Sequence, residues 1–467
     1  MKICRGEKKH TRKLNIGKRF IVAAVLGLML GILAGCAYSS FDEYLETLGI
    51  KDSEYEDSSE DATTYVISEE DDPLSVVEEK ETVNQDFGSQ MESFYKQITG
   101  EEAQEDKAAR EAIGLTEESI EAMKKEQEGN YAYDKLTEAG KTLYVEILTI
   151  VQHQAEDILV STVSDDAVKL VFDYVFIDHP EIFWVDGYTT QDRSVKGVVN
   201  KITFTGRYTC DMEEVEKRQK QINEYVNKCL ADAPSSDDEY FAIKYVYDYI
   251  IDHTEYVSGA PDNQNICSVF INGKSVCNGY AKATQYLLNK LGIQCIFVSG
   301  TVPNIGGRTA KHAWNIVRCN DAYYYIDTTW GDHSFRSENS SLADSSKMPP
   351  VNYDYLCVTT EEISKTHTIS DIIRVPECNS MADNYYVRED EYFKNDNLDL
   401  VKDLFDRRYK DGSDYVTIKC ATQEVYDSLF EKLINDRKVF DYLKEDTHIV
   451  DYTTFQDSRT IIVWING

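Results

Sequence analysis

Cys277, His312 and Asp327 follow one another in this 467-residue chain, and together they could transfer an acyl group. A thiol nucleophile needs a base to carry its proton, and an imidazole base needs a carboxylate to hold its tautomer and orientation. Around the cysteine the chain reads GKSVCNGYAKATQYLLNKLG. Gly273-Lys274-Ser275 is turn-forming, and Tyr280, Ala283, Tyr286, Leu287 and Leu291 then recur at helical spacing as far as Gly292. Cys277 therefore stands at or beside a helix N-terminus, whose unpaired N–H groups and dipole favour a thiolate. Gly279 lets the backbone approach closely.

IQCIFVSGTV then predicts a strand, KHAWNIVRC a second strand with His312 near its start, and AYYYIDTTWGD a third ending in Asp327. Asn320-Asp321 is the hairpin turn between the last two. On adjacent strands these positions can face one another, so that imidazole bridges thiol and carboxylate. The spacings are 35 and 15 residues. Papain-like sequences place the histidine roughly 130 residues or more after the cysteine, so that order is excluded.

The three blocks resemble the transglutaminase-like superfamily. Gly-x-x-Val-Cys-x-Gly-Tyr-Ala is matched over Gly273–Ala281, His-Ala-Trp-Asn over His312–Asn315, and Asp-x-Thr-Trp over Asp327–Trp330. Tyr247–Val257 is similar to the helix and extended segment that lead such domains. DHPEIFWV and the stretch Thr366–Tyr386 resemble flanks of lipoprotein members from Gram-positive bacteria. Thr328 stands where many members carry proline.

The resemblance implies an α+β fold with a papain-like transglutaminase core and no cofactor. Cys277 would be nucleophile, His312 base and Asp327 orienting acid, with acyl transfer through a thioester. Water as acceptor makes a peptidase or amidase, and a lysine amine makes a protein crosslink. A surface binding module that keeps the fold without catalysis is the remaining alternative. Water is the most abundant acceptor, which favours hydrolysis of a protein or peptide substrate. The Cys277 backbone N–H is the expected oxyanion donor, with Tyr256 a candidate second partner. Trp314 and Trp330 are expected as core and pocket walls.

Other polar residues carry less. His333 is expected as a loop spectator, and His179, His253, His367 and His448 have no partner motif and are expected as surface or structural residues. A Cys/His/Asp metal site lacks a fourth ligand, and the acidic runs lack an EF-hand's glycine and closing glutamate. There is no CxxC, which leaves zinc-ribbon and thioredoxin-like chemistry unsupported. Cys295 and Cys319 lie in apolar runs and read as small buried hydrophobes.

The elements that position these residues occupy the middle of a longer plan. The N-terminus is basic, then apolar from Phe20 to Ala34, and ends Leu33-Ala34-Gly35-Cys36, a secretory leader resembling a lipobox with Cys36 lipidated. The apolar run is too short to span a bilayer, which takes about 20 residues. The mature chain is thus expected outside the cytoplasm, tethered to the membrane by lipid. Residues 37–128 read as an acidic, largely disordered tether, with weak helical periodicity after Met91.

A helix-rich α/β domain is expected over 129–209, with helices from Thr137-Glu138 and over Asp166–Phe176, then strands EIFWVDGYTT and VNKITFTGRYT. The transglutaminase-like domain follows over 210–380, led by helices Met212–Leu230 and Asp238–Ile251. A small α/β module closes the chain over 381–467. The net charge of −34 and pI near 4.6 exclude a nucleic-acid partner, whose phosphates call for clustered Lys and Arg.

Overall fold

In the computed structural model of the chain, the described residues are 100–195, 198–303, 309–332, 349–444, 449–456 and 458–465. Apart from Ser258–Ala260 they belong to one compact unit. The leader, Cys36, the acidic segment up to residue 99, His333 and His448 lie outside the described residues.

The weak helical periodicity expected after Met91 corresponds to folded structure that begins before residue 129. Helices α1 (Gly100–Ala112) and α2 (Glu117–Glu126) occupy what the composition reads as the end of the tether. Thr116 and Ser119 cap α2 reciprocally, each side chain bonding the other's backbone N–H. Leu115 and Ile120 are buried, and Arg110 reaches the buried Glu146 carboxylate at 2.7 Å. Their high charge density hides one narrow apolar face, and that face is what docks.

Helices α3 (Glu138–Gln152) and α4 (Asp165–Asp178) accompany an antiparallel sheet ordered β1-β3-β2 (Ile158–Val160, Val198–Tyr208 and Val185–Val195). α4 runs past Phe176 because the Asp178 carboxylate is satisfied inside, accepting from the Ala132 and Tyr133 N–H groups at 2.9 and 2.8 Å. The expected strand EIFWV enters the ladder only at Val185, after a buried irregular Ile182-Phe183-Trp184.

Next come α5 (Met212–Ala231) and α6 (Glu239–His253), then β4 (Glu255–Tyr256) paired in parallel with β5 (Lys274–Ser275). Helix α7 (Cys277–Lys290) precedes a four-stranded antiparallel sheet ordered β8-β7-β6-β9. Its strands are β6 (Cys295–Pro303), β7 (Thr309–Cys319), β8 (Ala322–Ile326) and β9 (Thr368–Ile369). Asn320 and Asp321 both have positive φ, 44° and 70°, as a tight two-residue hairpin demands. Cys295 and Cys319 are buried as expected.

One apolar core runs from Leu115 to Tyr386, so the expected boundary at 209/210 is no break in packing. Gln285 of α7 donates to the Ile177 carbonyl of α4 at 2.7 Å across it. The C-terminal module has its own core, from Phe393 to Ile465. It comprises α8 (Leu398–Lys410), α9 (Gln423–Phe430) and a sheet ordered β10-β11-β13-β12. Those strands are β10 (Tyr392–Phe393), β11 (Tyr415–Cys420), β12 (Tyr452–Phe455) and β13 (Thr460–Trp464). Tyr385 and Tyr386 pack in the larger core and Tyr392 packs against it, while the module's own core begins at Phe393. The fold is α+β.

The first turn of α7 is held tightly. A Cβ on Gly279 would stand 2.0 Å from Ser275 Oγ and 2.5 Å from Ser268 Oγ, hydroxyls that bond each other at 2.6 Å. Gly279→Ala should therefore cost ~1–3 kcal/mol by overpacking, read as a lower midpoint in chemical denaturation. A variant as stable as its parent would show that this turn has slack.

Candidate active site

Cys277 is the first residue of α7 and is half-buried. The helix is pinned against the sheet from several sides. Tyr280 Oη donates to the Thr254 carbonyl at 3.0 Å and is also bonded to Asp332. Thr284 and Thr328 share a hydroxyl bond at 3.1 Å. Asn315 of β7 donates to the Ala281 carbonyl at 3.0 Å. That last bond ties the strand carrying His312 directly to the helix carrying Cys277.

His312 is buried in β7, and its Nε2 meets Asp327 Oδ2 at 2.7 Å. Cys277 faces the same imidazole and adds to what favours its protonated form. Since Nε2 is spent on the carboxylate, Nδ1 is the nitrogen left for sulfur. Burial opposes a charge on this ring, but the Asp327 carboxylate and its hydrogen bond outweigh burial and hold His312 up to about 10.

Asp327 follows β8 and caps the helical turn Thr328–Gly331. Its Oδ1 accepts from the Thr329 and Trp330 N–H groups at 2.9 and 3.0 Å. Its Oδ2 accepts from His312 and also from His367 Nε2, at 3.0 Å. Burial alone would raise this carboxyl, yet the two imidazoles bring it well below the usual carboxylate range.

His367 is the departure from expectation. It is buried, 4% exposed, so of the two expectations, surface or structural, it meets the second, but it also joins the site by bonding to Asp327. Trp314, Trp330 and Tyr355 surround its ring, with centroids 4.8, 4.8 and 5.7 Å away. The two tryptophans are thus walls of a histidine box as well as of the site: Trp314 also stacks on His312 at 5.8 Å and 19°. Tyr256 lies on β4 with Ser275 as its register partner, and its ring is 6.4 Å from that of Tyr280.

Residues 224–328 match the Transglutaminase-like superfamily, an interval containing Cys277, His312 and Asp327 but not His367. This segment is a transglutaminase-like domain. The chain is similar to Kyphoscoliosis peptidase of Mus musculus, 27% identical over 122 residues, and to that of Homo sapiens, 25% identical over 122 residues. In both cases the match covers 24% of this chain and 18% of the relative, so the chain spans less than a fifth of the curated relatives it matches. A solved TGase structure aligns with 35% of this chain and 49% of its own, at 17% identity and a TM-score of 0.23.

In the transglutaminase-like domain and its C-terminal flank, His312, Asp327 and His367 form a group with donor atoms within 4.8 Å of one another. Such a donor set can hold a metal in principle. Here both Nε2 atoms are spent on one carboxylate oxygen at hydrogen-bond length, and an ion would have to displace both protons. We read the group as a hydrogen-bonded relay.

Sequence reasoning missed His367 because it stands 40 residues beyond Asp327, outside every motif block. The signal that could have found it is Thr366-His367-Thr368-Ile369, a histidine in a short β-branched run. That run pairs with β6 at Gly300 and Thr301.

The His312–Asp327 pair makes stability depend on pH with a definite sign. His312 is raised from 6.5 to about 10, so its contribution is complete below 6.5 and is lost as pH climbs through 10. Asp327 is lowered from 3.8, so the same interaction is complete above 3.8 and is lost in stronger acid. Asp327→Asn should therefore cost about 3 kcal/mol or more near pH 6, and the gap from wild type should narrow toward pH ~10. Denaturant melts across pH check this; a gap independent of pH would contradict it.

Proposed function

We propose that the chain is a cysteine acyl-transfer enzyme of the transglutaminase-like type that hydrolyses an amide or peptide bond. What supports this reading is one arrangement: a half-buried Cys277 at a helix start, beside a buried imidazole that Asp327 holds by Nε2 at 2.7 Å. The similarity to relatives named as peptidases favours water as the acceptor.

His312 takes the thiol proton, and sulfur attacks the carbonyl carbon. The developing oxyanion lies at the start of α7, where the first backbone N–H groups have no intrahelical acceptor. Collapse of the tetrahedral adduct breaks the C–N bond, and His312 delivers its proton to the leaving amine. The thioester remains. His312 then removes a proton from water, whose oxygen attacks the thioester; collapse of that adduct breaks the C–S bond, His312 returns the proton to the Cys277 sulfur, and the carboxylic acid product departs. Asp327 stays ionised throughout and keeps Nε2–H pointed at itself.

Cys277→Ala should abolish turnover and labelling by a thiol-directed acyl probe; unchanged labelling and turnover would sink this reading. Incubating a glutamine-bearing peptide with a labelled amine separates acceptors. Cleavage or ammonia release without incorporation supports hydrolysis, and covalent incorporation assigns crosslinking instead.

We further propose that lipid on Cys36 tethers the protein outside the cytoplasm, at a membrane where its substrate is a protein or peptide. The Leu33-Ala34-Gly35-Cys36 run after the apolar leader motivates this. Cys36→Ser should move the protein from the detergent phase to the aqueous phase in a detergent partition. Continued partition into detergent would rule the lipid anchor out.

A further inference from the structure

Two imidazoles share one oxygen of Asp327. His312 and His367 both direct Nε2 at Oδ2, at 2.7 and 3.0 Å, with ring centroids 5.3 Å apart. An ionised carboxylate can only accept, so His367 must donate from Nε2. Its Nδ1 lies 2.8 Å from Thr366 Oγ1. Burial, which outweighs the Asp327 carboxylate, holds His367 below its ordinary 6.5 and therefore neutral, with Nδ1 accepting from the threonine hydroxyl. The tautomer is fixed from both ends.

The backbone is arranged to bring this ring in. The His367 N–H donates to the Ile363 carbonyl at 2.9 Å, after the helical turn Thr360–Ile363. The chain then enters β9 against β6 at Gly300, the register partner of His312. A Cβ on Gly300 would stand 2.0 Å from the Thr368 carbonyl oxygen, so the approach exists only because that residue is glycine. Nothing in the Cys277–His312–Asp327 reaction itself requires a second imidazole.

We propose that His367 is a positioning residue of this assembly: it shares Oδ2 with His312, fixes the plane of the carboxylate and limits how tightly Asp327 retains the proton on His312. This rests on the acyl-transfer reading above. His312 must hold a proton while sulfur attacks and then surrender it to the leaving amine. An imidazolium facing a carboxylate with no other side-chain donor would be the weaker acid. The His367 N–H draws off part of the charge on Oδ2. The titratable groups against His312 are Cys277 from α7, Asp327 from the turn after β8 and His367 from the segment before β9; Tyr355 lies across His367.

His367→Phe keeps a ring and removes the donor. His367→Gln puts an amide N–H at about the reach of Nε2. The His312 ring is titrated by NMR in the full chain without substrate. We expect its midpoint to rise by about one pH unit in H367F, the scale of one hydrogen bond to a charged group. H367Q should stay within a few tenths of wild type. An unshifted H367F overturns the proposal, and so does an H367Q that shifts as far as H367F, since ring packing alone would then explain the effect.

Should H367F fail to fold, Thr366→Val leaves the ring and removes the hydroxyl that fixes its tautomer. The His312 midpoint should then rise by a smaller amount, and no shift overturns the proposal. The titration needs no turnover. A wild type without Cys277-dependent reaction would thus fail the acyl-transfer reading while leaving the shared carboxylate testable on its own.

Discussion

A buried carboxylate is tolerated only when its charge is met, and at Asp327 four N–H groups meet it. Two come from the backbone of the helical turn it caps and two from imidazoles on separate segments. Breaking such an arrangement by removing one partner costs far more than the pair contributes when intact. β8, the turn after it, β7 and the approach to β9 are therefore each committed to one carboxylate. The geometry of the proposed active site and the local stability are the same interaction.

Meeting at one carboxylate forces backbones close together, and glycines mark where. Gly279 admits the Ser268–Ser275 hydroxyl pair under the first turn of α7. Gly300 admits the Thr368 carbonyl. A Cβ on Gly331 would stand 2.1 Å from Tyr247 Oη, and Tyr247 donates to the Asn352 carbonyl at 2.8 Å. α6, α7 and the sheet are thereby drawn onto the two ends of the triad. None of these three glycines has positive φ, so the constraint is space and not backbone conformation.

What could be read from residue order follows from how local each cause is. The start of α7, the two strands after it and the Asn320-Asp321 hairpin were legible because helical periodicity, alternation and turn chemistry act within a few residues. The α/β character of the C-terminal module was legible for the same reason. The helices over 100–126 showed in the sequence only as weak periodicity, because 28% charge overall, concentrated there, leaves a face of few apolar residues. The continuity of the core across 209/210 was invisible because it depends on long-range contacts such as Gln285 to the Ile177 carbonyl. The place of His367 in the site was missed for that reason too: its partner is 40 residues away and its flanking residues resemble any edge strand.

The site divides into one accessible atom group and a dry interior. Cys277 is half-buried, while His312, Asp327 and His367 are each at most 5% exposed. In the proposed reaction a substrate needs to reach only sulfur and the facing nitrogen of His312, so the series beyond it, Asp327–His367–Thr366, can run inward, away from water. In such surroundings each hydrogen bond is electrostatically stronger than in solvent and an unpaired one is more costly. The outer members must therefore be local to the thiol, on elements whose spacing is fixed, and a family-wide interval ending at residue 328 captures them. The inner members need only deliver a donor to Oδ2, and any segment that can pass a glycine-sized gap in the sheet can supply it. That difference in geometric demand explains why the proposed reacting groups sit in recognisable blocks and the group proposed to tune them does not.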